Sequence, residues 1–230
     1  MTNIRISNVS SEATMKESKS PLKAGNIILV ATWILLAYFT SSYTYPKTKI
    51  IADKASRIEE ATGISFAKKA KFHIGGLTNM SLAGVGVRKL AIIPLYSLGL
   101  YVAPSTAKAL EKESNKCKYI LQSTAPKVAQ LTFAMGIGPE KIAEALSAVN
   151  ADEAVKKKFH DMILDGMKGG KMKSKEKMSL EWKGSDVISV SIRGKHIGQM
   201  KDKALANGVI ELYLGPKSVS PSLRRDLGCV

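Results

Sequence analysis

Ser81-Leu-Ala-Gly-Val-Gly-Val-Arg-Lys-Leu-Ala-Ile-Ile-Pro-Leu-Tyr-Ser-Leu-Gly-Leu-Tyr-Val102 sets one arginine, Arg88, inside a run that, Lys89 apart, is apolar, small or glycine. Val85 and Val87 before the arginine, and Ile92 through Val102 after it, favour strand. Apolar on both faces, such a run belongs inside a domain and not at its edge. A guanidinium buried without a partner costs several kcal/mol or more. Arg88 therefore reaches water, pairs with a carboxylate of the protein, or receives the carboxylate of a ligand. The function turns on which.

The chain has 230 residues, 45% of them hydrophobic, and a net charge of +16. These are values of a globular protein with room for one ordinary domain after an N-terminal segment. The positive charge is mostly lysine, gathered at Lys68-Lys69-Ala70-Lys71, Lys156-Lys157-Lys158 and between Lys168 and Lys177. Nucleic acid and an anionic membrane surface are the partners such clusters suggest, against a plain solvated face. Aromatics are few and no zinc, helix-turn-helix or RNP-type motif accompanies the lysines, which weighs against nucleic acid. Cys117 and Cys229 are far apart and lack metal-ligand spacing, so nothing in the sequence requires a disulfide.

Residues 1–23 read as a polar, disordered leader. Ile27 to Phe39 is apolar but for Thr32, and weakly polar neighbours extend the segment to residues 24–45. Twenty helical residues rise about 30 Å, enough to cross a bilayer. Tyr43 and Tyr45 sit where an interfacial belt would lie. A signal peptide has a shorter basic leader and a small-x-small cleavage site. The reading is a retained single-pass membrane anchor, an uncleaved signal included, with a signal peptide's apolar region and a buried core helix as the competitors. Basic residues flank the segment equally, so its orientation stays open, as does the organelle, mitochondrion and plastid included.

Residues 46–62 read as a charged juxtamembrane linker and residues 63–230 as the domain. After the opening strands, Ser105 or Thr106 caps the first of two short helices over Ala107 to Ser123, broken near Asn115. Lys127 to Met135 alternates as a strand, and Gly138-Pro139 starts a helix with proline at its tolerated first position. Asn150 to Glu153 starts another, which ends at Gly169-Gly170. Met178-Leu180-Trp182 and Ile188-Val190-Ile192 form a hairpin. Lys203 to Leu214 is a helix closed by Gly215, and a short helix opens at Ser220-Pro221. Strands, then helices, then a hairpin and more helix describe an α+β domain and not a doubly wound sheet.

Three blocks, in this order, resemble the chalcone isomerase-like family: Gly84-Val-Gly-Val-Arg88 with Leu95-Tyr-Ser-Leu-Gly-Leu-Tyr-Val102; Gly138-Pro-Glu-Lys-Ile-Ala-Glu144; and Gly194-Lys-His-Ile-Gly198 with Tyr213-Leu-Gly215 and Val219-Ser-Pro-Ser222. The resemblance spans about residues 63–227. It implies an open-faced β-sandwich, a large antiparallel sheet with helices on one face and a ligand cleft between them. The family holds true isomerases, which close a chalcone's third ring, fatty-acid-binding relatives, and fungal membrane-anchored members reported as haem-binding. The isomerases place an arginine, two threonines, a tyrosine and an asparagine in the cleft. Position by position, Arg88 matches the arginine, Tyr96 stands at the first threonine, Lys141 at the tyrosine, Ala148 at the asparagine and Leu212 at the second threonine.

Ring closure needs donors around a developing enolate oxygen, each worth roughly two to three orders of magnitude in rate. With Ala148 and Leu212 in place of donors, the resemblance is to members that do not turn over chalcones. An arginine facing an apolar cleft suits a fatty acid or similar apolar carboxylate, bound through its fork, with Tyr96 beside it. Three alternatives stand next to this reading: an isomerase of the intramolecular-lyase type acting on an unknown enone or flavonoid-like substrate, a haem-binding membrane protein, and a structural protein whose Arg88 pairs internally. Haem would draw on His73, His160 or His196, of which His160 reads as solvent-facing and His196 as a turn residue. No cofactor is otherwise implied, no metal motif occurs, and Gly84-x-Gly86 lacks the rest of a dinucleotide fingerprint.

Overall fold

The computed structural model describes residues 55–73 and 77–229. The chain divides into two units, 1–50 and 51–230, and the described residues belong to the second. The leader, the anchor at 24–45 and the linker as far as residue 54 lie outside the described residues. No helix among the described residues is long and apolar enough to cross a membrane.

The quoted stretch forms two long paired strands, β4 (Leu77–Leu90) and β5 (Ile93–Val102). They belong to a seven-stranded antiparallel sheet in sequence order, with β3 (Lys69–His73), β6 (Lys127–Phe133), β7 (Lys177–Lys183), β8 (Val187–Ile192) and β9 (Lys195–Lys201). A separate hairpin, β1 (Ser56–Glu59) and β2 (Ile64–Ala67), pairs on its own. Residues 56–59 are thus the domain's first strand and not linker. Their short polar sequence hides a role that only the fold supplies: Glu59 is buried and accepts from the backbone N–H of Thr62 (3.1 Å) and the hydroxyl of Ser97 (3.2 Å).

Among the described residues six helices join the strands: α1 (Pro104–Leu110), α2 (Lys116–Gln122), α3 (Pro139–Ser147), α4 (Glu153–Met167), α5 (Lys203–Leu214) and α6 (Pro221–Asp226). The main core lies between them and the sheet. Tyr96, Leu98 and Leu100 of β5, Leu131 and Phe133 of β6, and Trp182 of β7 meet Phe159, Ile163, Leu205 and Val209 there. The other face of β5 packs in a smaller cluster of Phe66, Phe72, Met80, Val85, Tyr101 and Val128. Burial on both faces is why β5 reads as an unbroken apolar run and not as an alternation. Two expectations change. Gly194 to Gly198 is largely strand, β9, so His196 is an exposed strand residue and not a turn residue. Cys117 on α2 and Cys229 after α6 form a disulfide, their Cα atoms 5.7 Å apart; a spacing of 112 residues gives no local cue to such a contact.

The Gly84-x-Gly86 motif has a packing explanation. A Cβ at Gly86 would lie 2.6 Å from the backbone N of Leu223, and one at Gly84 3.0 Å from the Leu227 side chain. The two glycines let α6 lie on β4. Its side chains then satisfy the strand's N–H groups, that of Val85 donating to Asp226 (2.7 Å) and that of Val87 to the Ser222 hydroxyl (2.9 Å). Asp226 also pairs with Arg57 of β1. Gly86→Ala is expected to cost about 2 kcal/mol, since the clash is with backbone and cannot relax by a rotamer change. Urea unfolding measures it, and a loss no larger than that of an exposed-strand control would refute the packing role.

Burial also sets a pH dependence. Lys127 is buried with its ammonium donating to the Ser123 carbonyl (2.6 Å), and desolvation pushes its pKa down to about 8. Between that value and the unfolded lysine's value of about 10.4, the unfolded chain holds a proton that the folded one lacks, so stability rises with pH. Burial raises Tyr101 to about 12 and Tyr213 well above the ordinary tyrosine value. Above about pH 10 the unfolded chain has shed protons that these tyrosines keep, and stability falls. The expected curve climbs by roughly 2 kcal/mol from pH 8 to a maximum near 10. Lys127→Met flattens the climb; an unchanged profile in that variant would assign the dependence elsewhere.

Candidate functional site

A cavity of about 490 Å³ opens at one end of the sheet, between the ends of β4, β5 and β6 and the helix α3. Its walls are mostly apolar, with Leu95, Leu131, Phe133, Ile137, Ile142 and Leu146 among them. Arg88 and Tyr96 stand in the same wall. They are cross-strand partners in the β4–β5 register, so both side chains leave the sheet on one face. Immediately beyond this pair the register shifts by one residue, from Arg88↔Tyr96 to Lys89↔Pro94. Such a bulge lets two successive residues, Leu95 and Tyr96, face the same cavity.

The Arg88 guanidinium donates to the Tyr96 hydroxyl (3.4 Å), which lies 3.3 Å from the hydroxyl of buried Tyr213 on α5. Its carbon is 5.9 Å from the Tyr96 ring centre. Among the described residues no carboxylate lies within salt-bridge reach of Arg88, and Tyr96 is its hydrogen-bond partner. Internal pairing with a carboxylate is therefore not seen. Burial alone would depress the arginine, but the neighbouring Tyr96 and Tyr213 oxygens outweigh it and the pKa is raised, so the cation is permanent. A guanidinium has five N–H donors, and one long hydrogen bond leaves most of them for a planar acceptor. Burial likewise keeps the Tyr213 hydroxyl protonated. The wall can thus offer a fixed cation and a tyrosine hydroxyl at the head of an apolar chamber.

Of the other residues singled out in the sequence, Lys141 lines the cavity from the first turn of α3. Ala148 does not; it is the exposed C-cap of α3. Leu212 packs against the main core, and it is the next residue, Tyr213, that reaches the Arg88–Tyr96 pair. Helical spacing alone could have flagged Tyr213, since it shares a buried face with Leu205, Ala206, Val209 and Ile210, but a hydroxyl on such a face reads first as core. Gly136, Gly138, Glu140 and Lys171 also border the cavity; the sequence marks Gly138 and Glu140 as a helix start and Lys171 as one of a lysine cluster, not as site residues. His160 lies beside Asp161 on α4 (3.3 Å), and neither it nor His196 lines this cavity. The described residues contain no group of three His, Cys, Asp or Glu suited to a metal.

A seven-stranded antiparallel sheet, a helical layer on its main face, and a cavity with an arginine in its wall define a domain of the α+β class. Residues 58–228 match the model of the chalcone isomerase-like family, and the chain belongs to that family. The fold is similar to that of the Arabidopsis thaliana fatty-acid binding protein AtFAP1, with a TM-score of 0.62 at 19% identity, over 75% of this chain and 95% of that one. Among curated proteins none matches.

Proposed function

We propose that this protein binds a fatty acid or similar apolar carboxylate, without turning over chalcones, and that Arg88 receives the head group. The observation that carries the reading is a permanently charged guanidinium with no carboxylate partner among the described residues, set in the wall of an apolar cavity of about 490 Å³. That volume falls within the range of roughly 300–1,000 Å³ typical of small-molecule sites. The fatty-acid binding activity named for AtFAP1, a protein of similar fold, points the same way. The bidentate fork supplies orientation, Tyr96 a hydroxyl beside it, and the apolar walls the tail contact. Residues 24–45 tether the domain to a membrane in this reading. The Cys117–Cys229 disulfide supports placing the domain on an oxidising side of that membrane.

Organic extraction of the purified full-length protein, followed by mass spectrometry, tests the proposal. The expected result is a co-purifying fatty acid in wild type that is depleted in Arg88→Ala. A protein that retains no acid and takes none up when supplied would overturn it.

A further inference from the structure

The exposed large hydrophobic side chains of the described residues are Leu90 (67% exposed), Ile92 (87%), Ile93 (52%) and Met135 (40%). All four belong to one place. Leu90 and Ile93 close the β4–β5 hairpin as its last cross-strand pair, Ile92 stands in the two-residue turn between them, and Leu90, Ile93 and Met135 also border the cavity. A two-residue hairpin turn ordinarily favours Asn, Asp or Gly. Here its residues are Ala91, held at φ +52°, and Ile92. Turn chemistry does not call for an isoleucine at the tip, and packing within the domain does not either, since it is almost wholly exposed.

Charge says what covers it. Lys89 is exposed beside Leu90, and Lys141 and Lys171 border the cavity, with Glu140 as the one carboxylate among the bordering residues. Apolar side chains ringed by lysines, on a chain of net charge +16, complement a surface that is apolar beneath and anionic on top. We propose that the hairpin tip Leu90–Ile93 and the cavity mouth beside it form a docking surface for an anionic lipid bilayer. Ile92 and Ile93 enter the acyl boundary, and Lys89, Lys141 and Lys171 lie against headgroup phosphates and carboxylates. The cavity then opens toward the bilayer, where an apolar acid resides. That last step rests on the proposed ligand; the docking itself does not, so failure of vesicle binding and failure of acid binding are separate results.

Residues 51–230 form a unit that holds the core clusters and the disulfide of the described residues, and docking is measured on it apart from residues 1–50. The probe is co-sedimentation with phosphatidylcholine vesicles, with and without phosphatidylserine. Binding is expected only with the anionic lipid. Ile92→Asp should weaken it by about tenfold or more, as an inserted apolar side chain is lost. Lys89→Glu, Lys141→Glu and Lys171→Glu should each weaken it by about fivefold at low salt. These positions are on the surface, so circular dichroism and ligand retention should stay at wild-type values in Ile92→Asp. Absence of binding, binding indifferent to Ile92→Asp, or binding lost instead through Lys156, Lys157 and Lys158 would each overturn the proposal. So would self-association that Ile92→Asp abolishes, which would assign the patch to a second copy of the chain.

Discussion

Replacing both Cys117 and Cys229 by serine is expected to lower the domain's unfolding free energy by about 4 kcal/mol. The bond joins residues 112 apart in sequence, so it closes most of the domain into one loop. In the chain-entropy picture a loop of about 100 residues is worth roughly 4.7 kcal/mol at 25 °C. The structure adds a local consequence. Cys229 follows α6, the helix whose Asp226 and Ser222 accept from the Val85 and Val87 N–H groups. Untied from α2, that helix is free to lift from β4, leaving those strand donors unpaired and the Gly84–Gly86 face bare. Urea unfolding with and without reductant measures the loss. The slope of the transition should rise as well, because the unbridged denatured chain exposes more surface. Neither cysteine borders the cavity, so ligand affinity at low temperature should survive the substitution. A stability change below about 1 kcal/mol would show that the bridge does not constrain the unfolded chain.

The order of elements could be read from the sequence because each carries a local pattern. β6 alternates, α3 starts at Gly138-Pro139, and Trp182 and Ile188 face each other across a hairpin. What escaped was set by distance. β1 has four residues, Ser-Arg-Ile-Glu, and its stability comes from β2 and from the burial of Glu59 against Ser97 of β5. β9 is mostly polar, and its one glycine answers to α4: a Cβ at Gly198 would meet the Met162 sulfur at 2.5 Å. No window of a few residues contains that information. The disulfide is the extreme case, a contact near two helical ends that are 112 residues apart in sequence.

The site divides in the same way. Arg88 stood out because an arginine within an apolar run has few explanations, and Tyr96 came from the family resemblance; a regular turn at Ala91-Ile92 would set Leu95 opposite Arg88, and the one-residue shift that sets Tyr96 there leaves no mark in the sequence. Tyr213 did not stand out. It reaches the pair from α5, and nothing on that helix distinguishes a buried tyrosine that touches a site from one that fills space. Similarly, the exposed Ile92 looked like part of a buried strand, since hydrophobicity alone does not tell a strand's core from the tip of its turn.

Arg88→Ala is expected to reduce fatty-acid affinity by about 10²- to 10⁴-fold, because hydrogen bonds to a charged group contribute roughly 1.5–3 kcal/mol each and the fork makes two. Arg88→Lys should recover only part of the loss: an ammonium keeps the charge but cannot present two parallel N–H groups to a carboxylate. Tyr96→Phe removes one hydroxyl and leaves that of Tyr213 without its partner, for an expected loss of about tenfold. Displacement of a fluorescent fatty-acid analogue gives the affinities. The decisive comparison uses the methyl ester of the same acid. The ester retains the apolar tail and lacks the anion, so wild type should bind it weakly and Arg88→Ala should bind it equally well. An ester that loses as much as the acid on Arg88→Ala would mean that the arginine shapes the cavity and does not hold the head group. The same comparison separates Lys141, which borders the cavity but sits on the exposed first turn of α3. With the fork of Arg88 available deeper in the wall, Lys141→Ala should change acid affinity by no more than an exposed ion pair does, about threefold.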